Sequence, residues 1–181
     1  MKKLYLILIL MLSISCSSTR VFMDYDEKAE LSSYQTFDYY LIRENGFNEL
    51  DIKRVKKAFD RILGEKNITQ ETIPNFSINF YAETYTIENR NNIGVGVGGG
   101  NNGFGGGVSS GIPINTSRDM ISFTVEFIDA LTKELFWQCV VETKIHDTSN
   151  PIERQEFLTS IVQKALEKYP PETEKKKKSK R

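Results

Sequence analysis

The stretch ISFTVEFIDALTKELFWQCVVETK, residues 121–144, decides the fold class. Ile121, Phe123, Val125 and Phe127 alternate with Ser122, Thr124 and Glu126. After the connector DALTKE, Leu135, Trp137, Cys139, Val141 and Ile145 share one side opposite Gln138, Glu142 and Lys144. A period of two marks a strand with one buried face and one wet face. The connector is turn-like, so the two runs read as a hairpin. A sheet with one dry face needs a second layer to cover it.

Two segments supply that layer. Between residues 50 and 66 the apolar positions Ile52, Val55, Ala58, Phe59, Ile62 and Leu63 recur at steps of three and four, with Lys53, Arg54, Lys56, Lys57 and Asp60 opposite. This is one face of a helix, with Asn48 placed to cap it and Gly64 placed near its end. Phe157, Leu158, Ile161, Val162, Ala165 and Leu166 trace a second helix over residues 151–169, stopped by Pro170 and Pro171. Three further strands precede the hairpin: VFMDYD (21–26), TFDYY (36–40), and the segment around 76–80, where Phe76, Ile78 and Phe80 alternate with Ser77 and Asn79. The order β-β-α-β-β-β-α predicts an α+β two-layer sandwich: one largely antiparallel sheet of about five strands with both amphipathic helices on one face.

Ten of the twelve glycines fall between Gly94 and Gly111, and G-x-G-x-x-G spacing occurs twice there. A dinucleotide loop requires a helix whose N-terminal amides hold the pyrophosphate, and a P-loop requires Lys and Ser/Thr after a glycine. Here the glycines lead to another strand, and no Lys-Ser/Thr follows them. The tract therefore reads as a strand-to-strand connector, with no cofactor expected.

The 181 residues, 39% hydrophobic and 11% aromatic, suffice for one domain with a core. Their formal charge of zero conceals an asymmetry. With Lys2, Lys3 and the six basic residues of KKKKSKR (175–181) set aside, 16 basic residues face 24 acidic ones, a body of charge −8. Such a body argues against nucleic acid as a partner. The tail 172–181 reads as disordered.

The N-terminus has the pattern of a secretory signal over residues 1–15. A basic MKK precedes the apolar run LYLILILMLSIS, which at 12 residues is shorter than the roughly 20 a spanning helix needs. Cys16 follows directly, then Ser17 and Ser18. This resembles the lipobox of bacterial lipoproteins, in which the cysteine is lipidated and becomes the new N-terminus. The expected partner of Cys16 is thus a membrane, through lipid, and the expected domain runs over residues 16–171. Cys139 is then the only remaining thiol and reads as a core residue.

No catalytic set and no metal site is expected. His146 is the only histidine and reads as a strand-end residue beside Asp147, with no G-x-S-x-G elbow in the chain. Asp24, Asp26 and Asp38 would face one another if their strands were neighbours, and otherwise read as solvated edge carboxylates. Tyr25, Tyr39, Tyr40, Tyr81 and Tyr85 are candidates for an aromatic platform in a small-ligand or polysaccharide-binding domain, although period-two burial accounts for most of them.

The order of VFMDYD, YQTFDYY, RVKKAFDRILGEKNI, NFSINFYAE, the glycine tract, ISFTVEFIDALTKELFWQ and IVQKALEKYPP is similar to that of the bacterial lipoprotein family called domain of unknown function 4136. The resemblance spans residues 21–171 and implies the fold and an envelope location; the family has no assigned activity. The expectation is a non-catalytic, lipid-anchored envelope protein that works by binding or assembly with an envelope partner. The serines after Cys16, with no acidic run, favour a periplasmic face, and the expected membrane is the outer one.

Overall fold

A computed structural model describes residues 19–42, 44–93, 112–145, 148 and 150–171. Cys16, the glycine tract 94–111, His146, Asp147 and the tail 172–181 lie outside the described residues.

The elements are β1 (Arg20–Tyr25), β2 (Thr36–Tyr39), α1 (Glu49–Gly64), β3 (Thr69–Gln70), β4 (Phe76–Ile93), β5 (Ile112–Asp129), β6 (Leu135–Lys144) and α2 (Pro151–Leu166). They form one six-stranded sheet in the order β1-β6-β5-β4-β2-β3 with two helices, the expected α+β sandwich. The sheet has six strands rather than about five. The added strand is β3, whose two residues are too few to show any periodicity. The sheet is also mixed: β1, β6, β5 and β4 pair antiparallel, whereas β2 pairs parallel to β4 and to β3. A parallel pair needs a long crossover, and α1 lies within the one that joins β2 to β4.

The period-two residues meet across the strands. Ile78 lies opposite Phe127, and Phe127 opposite Trp137; Phe80 lies opposite Val125, and Val125 opposite Cys139. All six are buried, and the apolar stripes of both helices join them in one core. Phe59 of α1 packs on Phe80, and Tyr169, just beyond α2, packs edge-on against Phe127 and Trp137. The other face of the sheet carries a polar row instead: Asn79, Glu126, Gln138 and Asp24 are successive cross-strand neighbours. Within it, Glu126 accepts hydrogen bonds from Asn79 (2.9 Å) and Gln138 (3.4 Å).

One local expectation is corrected. Leu135 does not share the buried face of β6; it is 48% exposed, and Phe136 is buried in its place beside Trp137. A register shift between Phe127 and Ile128 makes a β-bulge there, which turns two consecutive side chains toward the core. Gly64 is the last residue of α1, near the end as expected, but the left-handed residue that closes the helix lies further on. That role falls to Asn67, with φ 61°, whose N–H donates to Gly64 O while Ile68 N–H donates to Leu63 O. The two bonds make a Schellman motif, and Ile68 is buried behind it.

At the other end of α1, Asn48 caps as expected: its side chain accepts from Asp51 N–H at 2.9 Å. The loop before it crosses β4 closely. Gly46 has φ +75°, and a β-carbon there would run into the Ala82 carbonyl, so only glycine fits. The neighbouring Asn45 carbonyl accepts from Ala82 N–H at 2.9 Å.

Candidate functional site at the turn end of the sheet

The β5–β6 turn is built on Asp129. Its Oδ1 accepts the backbone N–H groups of Leu131 (2.7 Å) and Thr132 (2.8 Å), while its own N–H donates to Glu134 O. Its other oxygen accepts the Tyr34 hydroxyl at 2.8 Å. Tyr34 lies on the connection that carries the chain from β1, at one edge of the sheet, to β2 near the other. Its ring stacks on Phe136 with centroids 3.9 Å apart. The bulge that buries Phe136 therefore also provides the surface on which the connection rests.

These groups line a cleft of about 450 Å³ together with Asp26, Lys28 and Glu134. Backbone hydrogen bonding from Thr132, then the bond from Tyr34, holds the Asp129 carboxyl below the usual carboxylate range. Burial, reinforced by Asp129, pushes the Tyr34 hydroxyl up to about 12. Neither group changes protonation near neutrality, so this pair is a fixed hydrogen-bonded strut and not an acid–base couple. A second groove, of about 590 Å³, runs between the C-terminal ends of the helices and is lined by Arg61, Glu65, Lys66, Gln163 and Lys164 among others.

At the opposite end of the helices is a buried charge cluster that the sequence reading did not single out. Asp51, in the first turn of α1, has a side chain only 4% exposed. It accepts from Arg54 at 2.8 Å and, at its other oxygen, from Arg154 Nη2 of α2 at 2.9 Å and Nε at 3.2 Å. Burial alone would raise its pKa, but the bonds and charges of the two arginines outweigh burial and hold it low. The ion pairs tie the N-terminal ends of the two helices together.

The sequence candidates do not assemble into one site. Asp24 and Asp26 belong to β1 and its end, whereas Asp38 is on β2, and three strands intervene, so they do not face one another. Asp24 and Asp26 are exposed, and Asp38 is bonded to Gln70 at 2.9 Å. The five tyrosines are likewise dispersed. Tyr25 and Tyr39 both pack against the core but from β1 and β2, with three strands between them, and the Tyr39 hydroxyl donates to Asp60 at 2.6 Å. Tyr40 is exposed beyond the end of β2, and only Tyr81 and Tyr85 share a face of one strand. Cys139 is buried, and burial pushes its thiol up to about 11, as suits a packing residue. Among the described residues no group of three or more His, Cys, Asp or Glu could hold a metal ion. The glycine tract joins β4 to its antiparallel partner β5, with Ile93 opposite Ile112, and β5 is a strand where a phosphate loop would need a helix.

Among curated proteins, none matches the chain in sequence. Solved structures offer more distant likenesses. A PDZ domain protein from Parabacteroides distasonis ATCC 8503 is 15% identical with a TM-score of 0.51, over 90% of this chain. The match covers 39% of that protein, so this chain spans about two fifths of its length. PelC from Paraburkholderia phytofirmans, a dodecamer, is 13% identical with a TM-score of 0.45, over 82% of this chain and 94% of that one. A minor lipoprotein from Acinetobacter baumannii is 8% identical with a TM-score of 0.32, over 82% of this chain and 96% of that one. The first likeness concerns the fold alone, and the other two are weaker than a shared fold requires. The sequence profile described as Domain of unknown function (DUF4136) matches residues 21–171, from the first strand to the proline after Tyr169 and Pro170. The chain belongs to the DUF4136 family.

Proposed function

We propose that this protein is a lipid-anchored component of the bacterial envelope, acylated at Cys16, whose α+β domain works by binding or assembly rather than by catalysis. The observation that carries the reading is the junction at the N-terminus. A basic and apolar signal-like segment ends at Cys16, and the first strand begins at Arg20, only four positions later. No helix among the described residues is long and apolar enough to cross a membrane. The low-lying Asp129 and high-lying Tyr34 of the turn-end cleft support a binding surface more than proton transfer. The proposed placement is the outer membrane with the domain facing the periplasm, and Ser17 and Ser18, in place of an acidic run, support the periplasmic face.

Replacing Cys16 with alanine tests the anchor. The wild-type chain is expected in the membrane fraction, carrying lipid mass on its N-terminal cysteine. Cys16→Ala is expected to leave that fraction without the added mass. Retention of the variant in membranes, or an unmodified wild-type cysteine, overturns the proposal. Density separation of the two membranes tests the finer placement.

A further inference from the structure

β4 and β5 outrun the sheet that holds them. Their register is continuous from Phe76 opposite Asp129 to Ile93 opposite Ile112, but β6 reaches only as far as Met120. On the other side, β2 pairs with β4 only as far as Ile78, and Asn45 takes the backbone of Ala82. Beyond these points the pair continues as a two-stranded ribbon, exposed over residues 83–88 and 117–119. A ribbon of two strands without a core is marginal in water.

The proposed anchor enters at this same end. Arg20 lies opposite Glu142, Glu142 opposite Ser122, and Ser122 opposite Glu83. The four positions from Arg20 back to Cys16 span at most about 14 Å, which brings Cys16 level with Arg118 and Ile87 and no further. Pairing between β4 and β5 runs on for six residues past that level, about 20 Å at about 3.4 Å per residue. In the other direction the sheet extends about 24 Å from Ser122 to Asp129, too far to fit beneath so short a tether. With a lipid on Cys16, the ribbon therefore points toward the bilayer or along it.

The ribbon has two unlike faces. On the face turned from the helices, Tyr85 lies opposite Met120 and Ile87 opposite Arg118, and Lys144 continues the row beside Met120. Tyr85 is 38% exposed and Ile87 40%. The other face carries Thr86, bonded to Asp119 at 2.7 Å, and Glu88 opposite Ser117. Apolar groups and cations thus share one side, with Asp119 and Glu88 on the reverse. The acidic residues of the first face, Glu83 and Glu142, stand one row nearer the body of the sheet.

We propose that this face of the ribbon, Tyr85, Ile87 and Met120 with Arg118 and Lys144, rests on the anionic headgroup surface of the bilayer that holds the Cys16 lipid, a reading that depends on the anchor proposed above. A tyrosine suits that depth, with its ring at the acyl boundary and its hydroxyl among the headgroups. The two cations meet lipid phosphates, each contributing about 1 kcal/mol near a charged surface. The backbone edges of β4 and β5 beyond Ala82 and Met120 have no described strand beside them. Hydrocarbon would leave those groups unpaired, whereas headgroups and their water do not, so this part of the ribbon lies at the surface and does not cross.

The test uses the full chain, with its lipid mass confirmed, in vesicles of phosphatidylethanolamine and phosphatidylglycerol. An environment-sensitive fluorophore is placed at Ile87→Cys, at Ser117→Cys on the reverse face, or at Leu131→Cys on the distant turn; the buried Cys139 does not compete. The Ile87 label is expected to emit at shorter wavelength and to be quenched by spin-labelled phospholipid, and the other two labels to show neither effect. Arg118→Glu with Lys144→Glu is expected to weaken both effects at Ile87 and to leave the melting temperature unchanged. Equal responses at Ile87 and Ser117, or an Ile87 response indifferent to the charge reversal, overturn the proposal. A wavelength shift without quenching by lipid also overturns it, because a protein would then cover this face. Absence of lipid mass on wild-type Cys16 overturns the anchor and this inference together, whereas an acylated chain whose Ile87 label stays in water overturns this inference alone.

Discussion

Asp51 serves three structural purposes with one side chain. It is the third residue after the cap Asn48, whose amide donates to its Oδ2 at 3.1 Å, and it accepts from an arginine on its own helix and from another on α2. A carboxylate with so many donors is held charged although buried, and removing it would leave two guanidiniums and the cap amide without their acceptor. Breaking a buried pair from one side typically costs about 3–5 kcal/mol. Arg54 and Arg154 keep side-chain exposures of 21% and 27%, which places the loss for Asp51→Ala nearer the low end, about 3 kcal/mol. The pH dependence has a definite sign. The folded state depresses the Asp51 pKa, so its stabilisation is present above the unfolded carboxylate value of about 3.9 and is lost as pH falls through the lower folded value. Urea midpoints of wild type and Asp51→Ala are expected to differ widely at pH 7 and to converge below about pH 4. A gap that stays constant to pH 2 would show that the charge is not what stabilises the helix pair.

At the scale of elements, the β5–β6 hairpin separates what is legible in a sequence from what is not. Alternation alone places both strands, their pairing and the burial of Trp137, Cys139 and Val141, because side chains on a pleated strand face opposite ways in turn. Alternation also names Leu135, and there it fails, because one bulged residue shifts every position on its far side to the opposite face. The consequence is measurable. Phe136→Ala removes a buried ring stacked on Tyr34 and packed on Phe76, and is expected to cost about 3–5 kcal/mol. Leu135→Ala is expected to cost less than about 1 kcal/mol, and reversed magnitudes in thermal or urea unfolding would refute the bulge. The helices follow the same division. Their apolar stripes and the Asn48 cap are local and can be read directly, as can the end of α2 before two prolines. The Asp51–Arg154 contact joins residues 103 positions apart, and no local period encodes it. The parallel placement of β2 beside β4 is likewise a matter of chain routing, and four residues of alternating TFDY carry no sign of their neighbour.

On the scale of the whole molecule, topology divides the domain into two ends, and the proposed anchor belongs to one of them. β1 starts at Arg20, opposite Glu142, and Thr19 is bonded to Thr143 at 3.0 Å, so the N-terminus enters beside the end of β6. α2 begins shortly after that same end, and its first turns are tied to those of α1 through Asp51 and Arg154. The turn on Asp129 is at the other end of the sheet, beyond Tyr25 and Trp137. From Ile121 to Asp129 the strand covers about 27 Å at about 3.4 Å per residue. Cys16 is four positions from Arg20, a span of at most about 14 Å when extended. If Cys16 carries lipid as proposed, the short tether sets the helix-N-terminal end nearer the bilayer than the Asp129 turn. Two exposed aliphatic residues report on the ends separately: Ile152 in the first turn of α2 (67% exposed) and Leu131 at the tip of the turn (92% exposed). Each can be replaced by cysteine and labelled, since burial and a raised pKa keep Cys139 unreactive. In vesicles bearing the lipidated protein and a headgroup-level quencher, a fluorophore at Ile152→Cys is expected to be quenched strongly and one at Leu131→Cys weakly. Equal quenching would mean that the domain lies flat on the bilayer. The reverse order would place the cleft of Tyr34 and Asp129 at the membrane surface and would refute a short tether acting from the Arg20 end.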